Sequence, residues 1–170
     1  MKIIFFTLLL YFSGNAFADE VNFSGVLRHA IPCIVNGGEE LVVPFHEIND
    51  KDLYRQRDIS EVFEITLSEC EFLPDFSFSM SFTGISNPKI KGSLRIDGDP
   101  GDLGYAIVLS SDNGNVDINS QYPIVGMNGS KFPSVIPLKA SILGEEDAIK
   151  NKSIKLGDFS ATTTFNIYYE

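Results

Sequence analysis

Apolar and polar residues alternate with a period of two along much of this chain. Residues 76–82 read Phe-Ser-Phe-Ser-Met-Ser-Phe, a pattern typical of a strand with one buried face. Residues 105–109 form a continuous apolar run, as expected of a strand covered on both faces, and Asp112-Asn113-Gly114 then turns the chain. We predict further strands around residues 41–45, 62–67, 94–96 and 135–142.

Helical patterns are rare. Only two brief segments, residues 48–56 and 145–148, are candidates for helices. Turn residues separate the predicted strands, and short strands spaced in this way indicate a β-sandwich or barrel. The sequence shows no repeat and no linker, so we predict an all-β protein with a single main domain.

The C-terminal segment, residues 157–170, has the clearest alternation. Its apolar residues share one parity and therefore one face of a strand. Because no further strand follows it in the sequence, we expect part of its pairing to come from another molecule. The residues of that face are Phe159, Ala161, Thr163, Phe165, Ile167 and Tyr169.

The first residues resemble an export signal. A positive start, an apolar run at residues 3–12 and the small residues of Ala16-Phe17-Ala18 are the three parts of a secretory signal peptide. The run is too short to span a bilayer. We therefore expect residues 1–18 to be removed, and the exported chain to begin at Asp19 without stable membrane insertion.

A second amphipathic segment follows this signal. Val21, Phe23, Gly25 and Leu27 alternate with Asn22, Ser24 and Val26. The segment is either the first strand of the sandwich or an arm that adds a strand to another subunit. Gly25 favours the arm, because glycine within a strand marks close approach of another backbone.

The chain contains two cysteines, Cys33 and Cys70, which allow only one intramolecular pairing. An exported chain meets an oxidising compartment, so we predict a disulfide between them. His29 and His46 have no Cys or His at ligand spacing. We accordingly expect no metal site and no cofactor.

The formal net charge of −10 makes nucleic acids and anionic lipid surfaces poor partners. Acidic residues cluster at 97–102 and at Glu145-Glu146, and we interpret both clusters as solvated turns or loops rather than metal or catalytic sites. No serine lies in a nucleophile elbow, and no His–carboxylate pair is suggested by spacing. The sequence therefore predicts no catalytic residues and no enzyme.

Several motifs together, in order, carry a family resemblance. They include Val-Asn-Phe-Ser-Gly-Val-Leu at residues 21–27, Ile-Pro-Cys at 31–33 and Phe-Glu-Ile-Thr-Leu-Ser-Glu-Cys at 63–70. Gly157, fourteenth from the end, and the penultimate Tyr169 complete the pattern. From residue 19 onward the sequence resembles subunits of chaperone–usher pili, closest to the minor tip or adaptor pilins of P and type 1 pili. It departs at His46, where many such subunits have glycine.

This resemblance implies an incomplete immunoglobulin-like β-sandwich that lacks its final strand and is completed by donor-strand complementation. Residues 19–31 would be the N-terminal donor-strand extension and residues 32–170 the pilin domain. The donor residues would be Val21, Phe23, Gly25 and Leu27. The accepting strand would present Gly157, Phe159, Ala161, Thr163, Phe165, Ile167, Tyr169 and Glu170, the last through its carboxylate.

The implied function is that of a structural minor subunit of an adhesive surface pilus. Its expected partners are a periplasmic chaperone, an outer-membrane usher and neighbouring pilus subunits, and its expected location is the cell-surface pilus. A terminating or anchoring subunit of the same family is an alternative, which differs in whether a pocket at one end of the groove is open. A self-complete secreted carbohydrate-binding sandwich is another, although the absence of Trp argues against it.

Overall fold

A computed structural model describes residues 22–25, 33–70, 78–99, 101–124 and 134–169 of the chain. These residues form eight strands, two short α-helices and a 3₁₀ helix at Asn36–Gly38, so the all-β prediction is confirmed. The strands are β1 (Ile34–Val35), β2 (Ser60–Ser68), β3 (Phe78–Thr83), β4 (Tyr105–Ser111), β5 (Gly114–Val116), β6 (Gln121–Pro123), β7 (Ser134–Gly144) and β8 (Thr164–Tyr169), and the helices are α1 (Asp50–Tyr54) and α2 (Glu146–Asn151).

The larger sheet has five antiparallel strands in the order β1-β2-β7-β4-β5. Its centre is the pairing of β2 with β7, which runs from Ser60 opposite Ser141 to Leu67 opposite Ser134. Alternation directs Ile65 and Leu67 of β2 into the core, whereas Val62 on the other face is exposed. The residues that β7 contributes to the core are Ile136, Leu138, Ala140 and Ile142.

The smaller sheet has the order β6-β3-β8. Phe78, Met80 and Phe82 of β3 are buried, as the alternating sequence predicts, and they join the side chains of the larger sheet in one hydrophobic core. Ser81, on the opposite face of β3, has its hydroxyl 3.1 Å from that of Tyr168 on β8. The two sheets thus form the layers of a sandwich.

The predicted disulfide between Cys33 and Cys70 is present. It links the residue before β1 to the chain just after β2, two strands that pair through only two residues of β1. Beyond this short pairing the Asn36 side chain replaces a backbone acceptor, because its Oδ1 accepts a hydrogen bond of 2.8 Å from the Thr66 amide. The disulfide therefore holds a short edge strand in place.

Glu145 contradicts the expectation of a solvated loop. It precedes α2 and is only 2 % exposed. Its carboxylate accepts hydrogen bonds of 3.1 Å from Asn87 Nδ2 and 2.8 Å from Lys89 Nζ, which explains how a charge can be buried here. The hydrogen bond that Lys89 donates to Glu145 raises the pKa of Lys89 above its ordinary value of 10.5. The part of the stability that comes from the raised pKa of Lys89 is therefore present in full below about pH 10.5 and is lost as the pH rises through the folded-state pKa.

The acidic turn at residues 97–102 is also less solvated than the sequence suggests. Asp99 is 4 % exposed, and its Oδ1 accepts hydrogen bonds from the amides of Gly101, Asp102 and Leu103. Burial alone would raise the pKa of Asp99, but these three bonds and the charge of Arg95 lower it below 3.8. The contribution of Asp99 to stability is therefore present above about pH 3.8 and is lost as the pH falls through the lowered pKa.

The strand predicted around Leu94 and Ile96 does not form. Leu94 makes only isolated bridges to Ser86 and Ile107, although both Leu94 and Ile96 are buried. These residues are apolar because they pack in the core, although they form no continuous ladder of hydrogen bonds with another strand. The helices expected near residues 48–56 and 145–148 are confirmed as α1 and α2.

Candidate strand-accepting groove

β8 has one paired edge and one open edge. Its six residues pair with β3, from Phe78 opposite Tyr169 to Thr83 opposite Thr164. No strand in the described part of the chain pairs with its other side. Within the described residues, the C-terminal strand thus has a paired strand on one edge only and forms the edge of its sheet.

The preceding residues, 157–163, continue the line of β8 without belonging to a strand. Hydrogen bonds nevertheless attach them to the fold. The Asp97 amide donates to the Ser160 carbonyl at 2.8 Å, Thr162 Oγ1 donates to Asp97 Oδ2 at 2.8 Å, and Thr163 Oγ1 donates to the Thr83 carbonyl at 3.1 Å. The acidic turn therefore holds the first half of the predicted accepting segment.

Residues 39–48 face this segment. The strand predicted at 41–45 is not formed, because these residues pair with no neighbour in the described structure. Val43 and Phe45 nevertheless pack against the core, and the rings of Phe45 and Phe159 lie 6.0 Å apart. Val42, which has the opposite parity, is 74 % exposed. The side chains alternate like those of a strand that lacks its partner.

We define the surface between these two segments as the candidate groove, and its apolar side chains share an intermediate exposure. They pack against the buried core on one side and remain open to solvent on the other. Phe165 illustrates this, since its ring is 5.3 Å from that of buried Phe82 while the residue itself is only half-buried. The apolar groove residues are Val43, Phe45, Ile48, Phe159, Ala161, Phe165 and Ile167.

One end of the groove opens into a cavity of about 520 Å³. Phe159 belongs to both, because it lines the cavity and its ring also contacts Phe45 and, at 5.8 Å, Tyr105. Burial raises the pKa of Tyr105, as does the charge of Asp99, so the phenol stays neutral. The remaining lining residues are Glu47, Ile48, Asn49, Asp50, Leu53, Ile142, Ile154, Lys155, Leu156 and Gly157.

The structure brings together most of the predicted accepting residues, from Gly157 to Tyr169. The Tyr169 backbone pairs in β8, and Glu170 lies outside the described residues. Of the predicted donor residues, Phe23 is 94 % exposed and Gly25 is also exposed, whereas Val21 and Leu27 lie outside the described residues.

Sequence reasoning missed the facing segment and the cavity. The period-two pattern of Leu41, Val43 and Phe45 was a signal for the first. No sequence pattern indicated the cavity, because its walls come from separate parts of the chain: α1, β4, β7 and the stretch after α2.

Two other classes of site are absent from the described residues. They hold no group of three or more His, Cys, Asp or Glu side chains placed to bind a metal ion. They also include no helix long and apolar enough to cross a membrane.

Comparison with known proteins gives consistent matches. Residues 21–170 match the model of the family described as fimbrial protein. The chain is 25% identical over 175 residues to the fimbrial-like protein YfcQ of Escherichia coli K12, covering 100% of each, and 27% identical over 168 residues to the fimbrial adapter PapK of Escherichia coli, covering 92% of this chain and 91% of PapK. Among solved structures, the P pilus rod subunit PapA superimposes with a TM-score of 0.67 at 18% identity, over 82% of this chain and 100% of PapA.

Proposed function

The chain belongs to the fimbrial protein family and is a subunit of a surface pilus, and we propose that it is joined to its neighbours by donor-strand exchange. Residues 157–169 and 39–48 accept a strand from the next subunit. Residues 19–31 are the arm that this subunit donates, residues 32–170 form the pilin domain, and residues 1–18 direct export.

The observation that carries this proposal is the open edge of β8 beside half-buried apolar side chains. An unpaired strand edge with an apolar face is a template for association. A donor strand satisfies the backbone groups of that edge, and its alternate side chains fill the groove. Apolar burial of this kind contributes about 25 cal/mol per Å².

The same edge supports a role for a chaperone. A subunit with an uncovered groove is prone to aggregate before assembly, so a strand from a periplasmic chaperone covers it first. In this proposal the chaperone holds the Glu170 carboxylate, and the outer-membrane usher is the place where the arm of the next subunit replaces the chaperone strand. The exposed Phe23 supports a free arm, since this side chain gains burial only in a neighbour.

The cavity favours a chain-extending subunit over a terminating one. A terminator of this class would have the pocket at the end of its groove closed, whereas the cavity beside Gly157 and Phe159 is open and about 520 Å³ in volume. The subunit can therefore receive a donor side chain at this end.

A generic donor peptide tests the proposal. We expect a short peptide that alternates Val or Ile with Thr or Ser to stabilise the oxidised full chain, because the peptide binds the folded state alone. At about a hundredfold excess over its Kd the free energy of unfolding should rise by about 2.7 kcal/mol, as measured by urea unfolding. Self-association, followed by light scattering, should fall at the same time.

The control is a peptide of the same composition with its apolar residues placed consecutively. Because it cannot direct all of them to one face, it should give no stabilisation. A stable, monomeric chain that responds to neither peptide would mean that the sandwich is already complete.

Gly157 provides a second test. Its φ of +148° disfavours a side chain, although an added Cβ would meet no atom within 4 Å. We expect Gly157→Ala to cost about 1 to 3 kcal/mol or to shift the backbone at the cavity and weaken donor binding, measured by urea unfolding with and without the alternating peptide. Gly25→Ala is the matched control, since its Cβ also meets nothing and its φ is ordinary. Equal effects of the two changes would contradict the prediction.

A further inference from the structure

The cavity end of the groove carries an excess of negative charge. Glu47 and Asp50 line the cavity, and Asp158 lies between the lining residues Gly157 and Phe159. None of these three carboxylates belongs to a salt bridge of the described structure. Lys155, the basic residue among those lining the cavity, is itself paired with Asp102. We call Glu47, Asp50 and Asp158 the acidic rim.

The N-terminal segment of the same chain has the opposite charge at its inner end. It begins with the acids Asp19 and Glu20, and it reaches Arg28 and His29 immediately after the last alternating apolar residue, Leu27. Only one orientation in the groove brings this basic end to the acidic rim. The reverse orientation would place two carboxylates beside it.

Alternation decides where these side chains point. If Leu27 enters the cavity, Arg28 is directed to the solvent side of the groove. The carboxylates of the rim are accessible there, because Glu47 and Asp158 are exposed and Asp50 is half-exposed. The cavity walls suit Leu27, since Leu53, Ile142 and Ile154 are aliphatic.

We propose that the groove accepts residues 21–29 of a second copy of this chain, with Leu27 in the cavity and Arg28 against the acidic rim. The inference rests on the proposed strand exchange and goes beyond it by naming the donor. Exposed charge pairs contribute little affinity each, but complementary charges select between donors that share the same apolar pattern. The subunit can therefore follow itself in the fibre.

The test uses a full-length, oxidised acceptor chain that carries Phe23→Asp and Leu27→Asp, so that its own arm cannot occupy a groove. The donor is a labelled peptide of residues 19–29, either native or with Arg28→Glu. Fluorescence anisotropy gives Kd at about 50 mM and about 500 mM salt. We expect the Arg28→Glu peptide to bind roughly threefold to tenfold more weakly at low salt and the difference to shrink at high salt.

Acceptor variants show whether the rim is responsible. Glu47→Gln with Asp50→Asn should remove the discrimination between the two peptides. The matched control is Glu64→Gln, an exposed acid on β2 opposite Pro137 and outside the groove, which changes the net charge but should leave the discrimination intact. An equal loss with Glu64→Gln would assign the effect to overall charge and overturn the inference.

The generic alternating peptide separates this inference from the proposed function. If it binds while the native and Arg28→Glu peptides bind equally well, the charge match is wrong and strand exchange stands. If it binds while the native peptide does not, the donor is a different subunit and the inference fails. If no peptide binds, strand exchange itself is overturned.

Discussion

A chain in which Cys33 and Cys70 are both replaced by serine is expected to lose about 4 kcal/mol of its free energy of unfolding. The disulfide closes a loop with a sequence separation of 37, and its removal releases the unfolded chain from that constraint. A typical domain has only about 5 to 15 kcal/mol in total, and the proposed uncovered groove would reduce the free energy of unfolding of this one. We therefore expect the variant to be largely unfolded without a donor strand, as measured by urea unfolding and far-UV circular dichroism.

Two comparisons make this result specific. Reduction of the unchanged chain should lower its stability to the same extent as the double replacement. A third variant, Asn36→Ala, removes the side-chain acceptor of the Thr66 amide and leaves the disulfide intact, so it should cost only about 1 to 3 kcal/mol. If the double serine variant were as stable as Asn36→Ala, loop closure would not be the main contribution.

Glu145→Ala is expected to have the second largest effect, a loss of about 2 to 3 kcal/mol. The change leaves Asn87 Nδ2 buried without its acceptor and opens a space before α2. The cost stays below that of a fully buried pair, because the Lys89 side chain is 48% exposed and can turn to solvent. Urea unfolding at neutral pH, with the groove filled by an alternating peptide, measures this loss in the free energy of unfolding.

The neighbouring Glu146 is the matched control for this change. It lies in the first turn of α2 and is exposed, so Glu146→Ala should alter stability by no more than about 0.5 kcal/mol. A larger effect of Glu146→Ala than of Glu145→Ala would show that helix capping, rather than the buried carboxylate, matters at this position.

Adjacent acids such as Glu145 and Glu146 show the limit of local sequence reasoning. Their composition is that of a solvated loop, but burial depends on Asn87 and Lys89, which are more than fifty residues away in the sequence. Asp99 is similar, since the backbone amides that satisfy it become available only when the turn closes. A charged residue in the sequence therefore predicts an exposed side chain, except where hydrogen-bond donors from distant parts of the chain surround that side chain.

Alternation was a reliable guide where a ladder exists. It predicted β3 and the core-facing residues of β2, because period two directly reflects strand geometry, whereas the continuous apolar run at residues 105–109 predicted β4. It failed for Leu94 and Ile96, which are buried without a continuous partner. Residues 41–45 and 157–163 also alternate, but neither segment pairs with a neighbouring strand within the described chain.

The position of the disulfide also has a mechanical meaning. In a fibre joined by exchanged strands, tension enters a subunit through residues 19–31 and reaches Cys33 before the two-residue strand β1. The covalent link passes this load to Cys70 at the end of β2, and β2 is held along its length by β7. Strands loaded in shear resist force together, whereas β1 alone would be peeled away. In such a fibre the crosslink would pass the load to the central sheet instead of leaving it on the shortest edge strand.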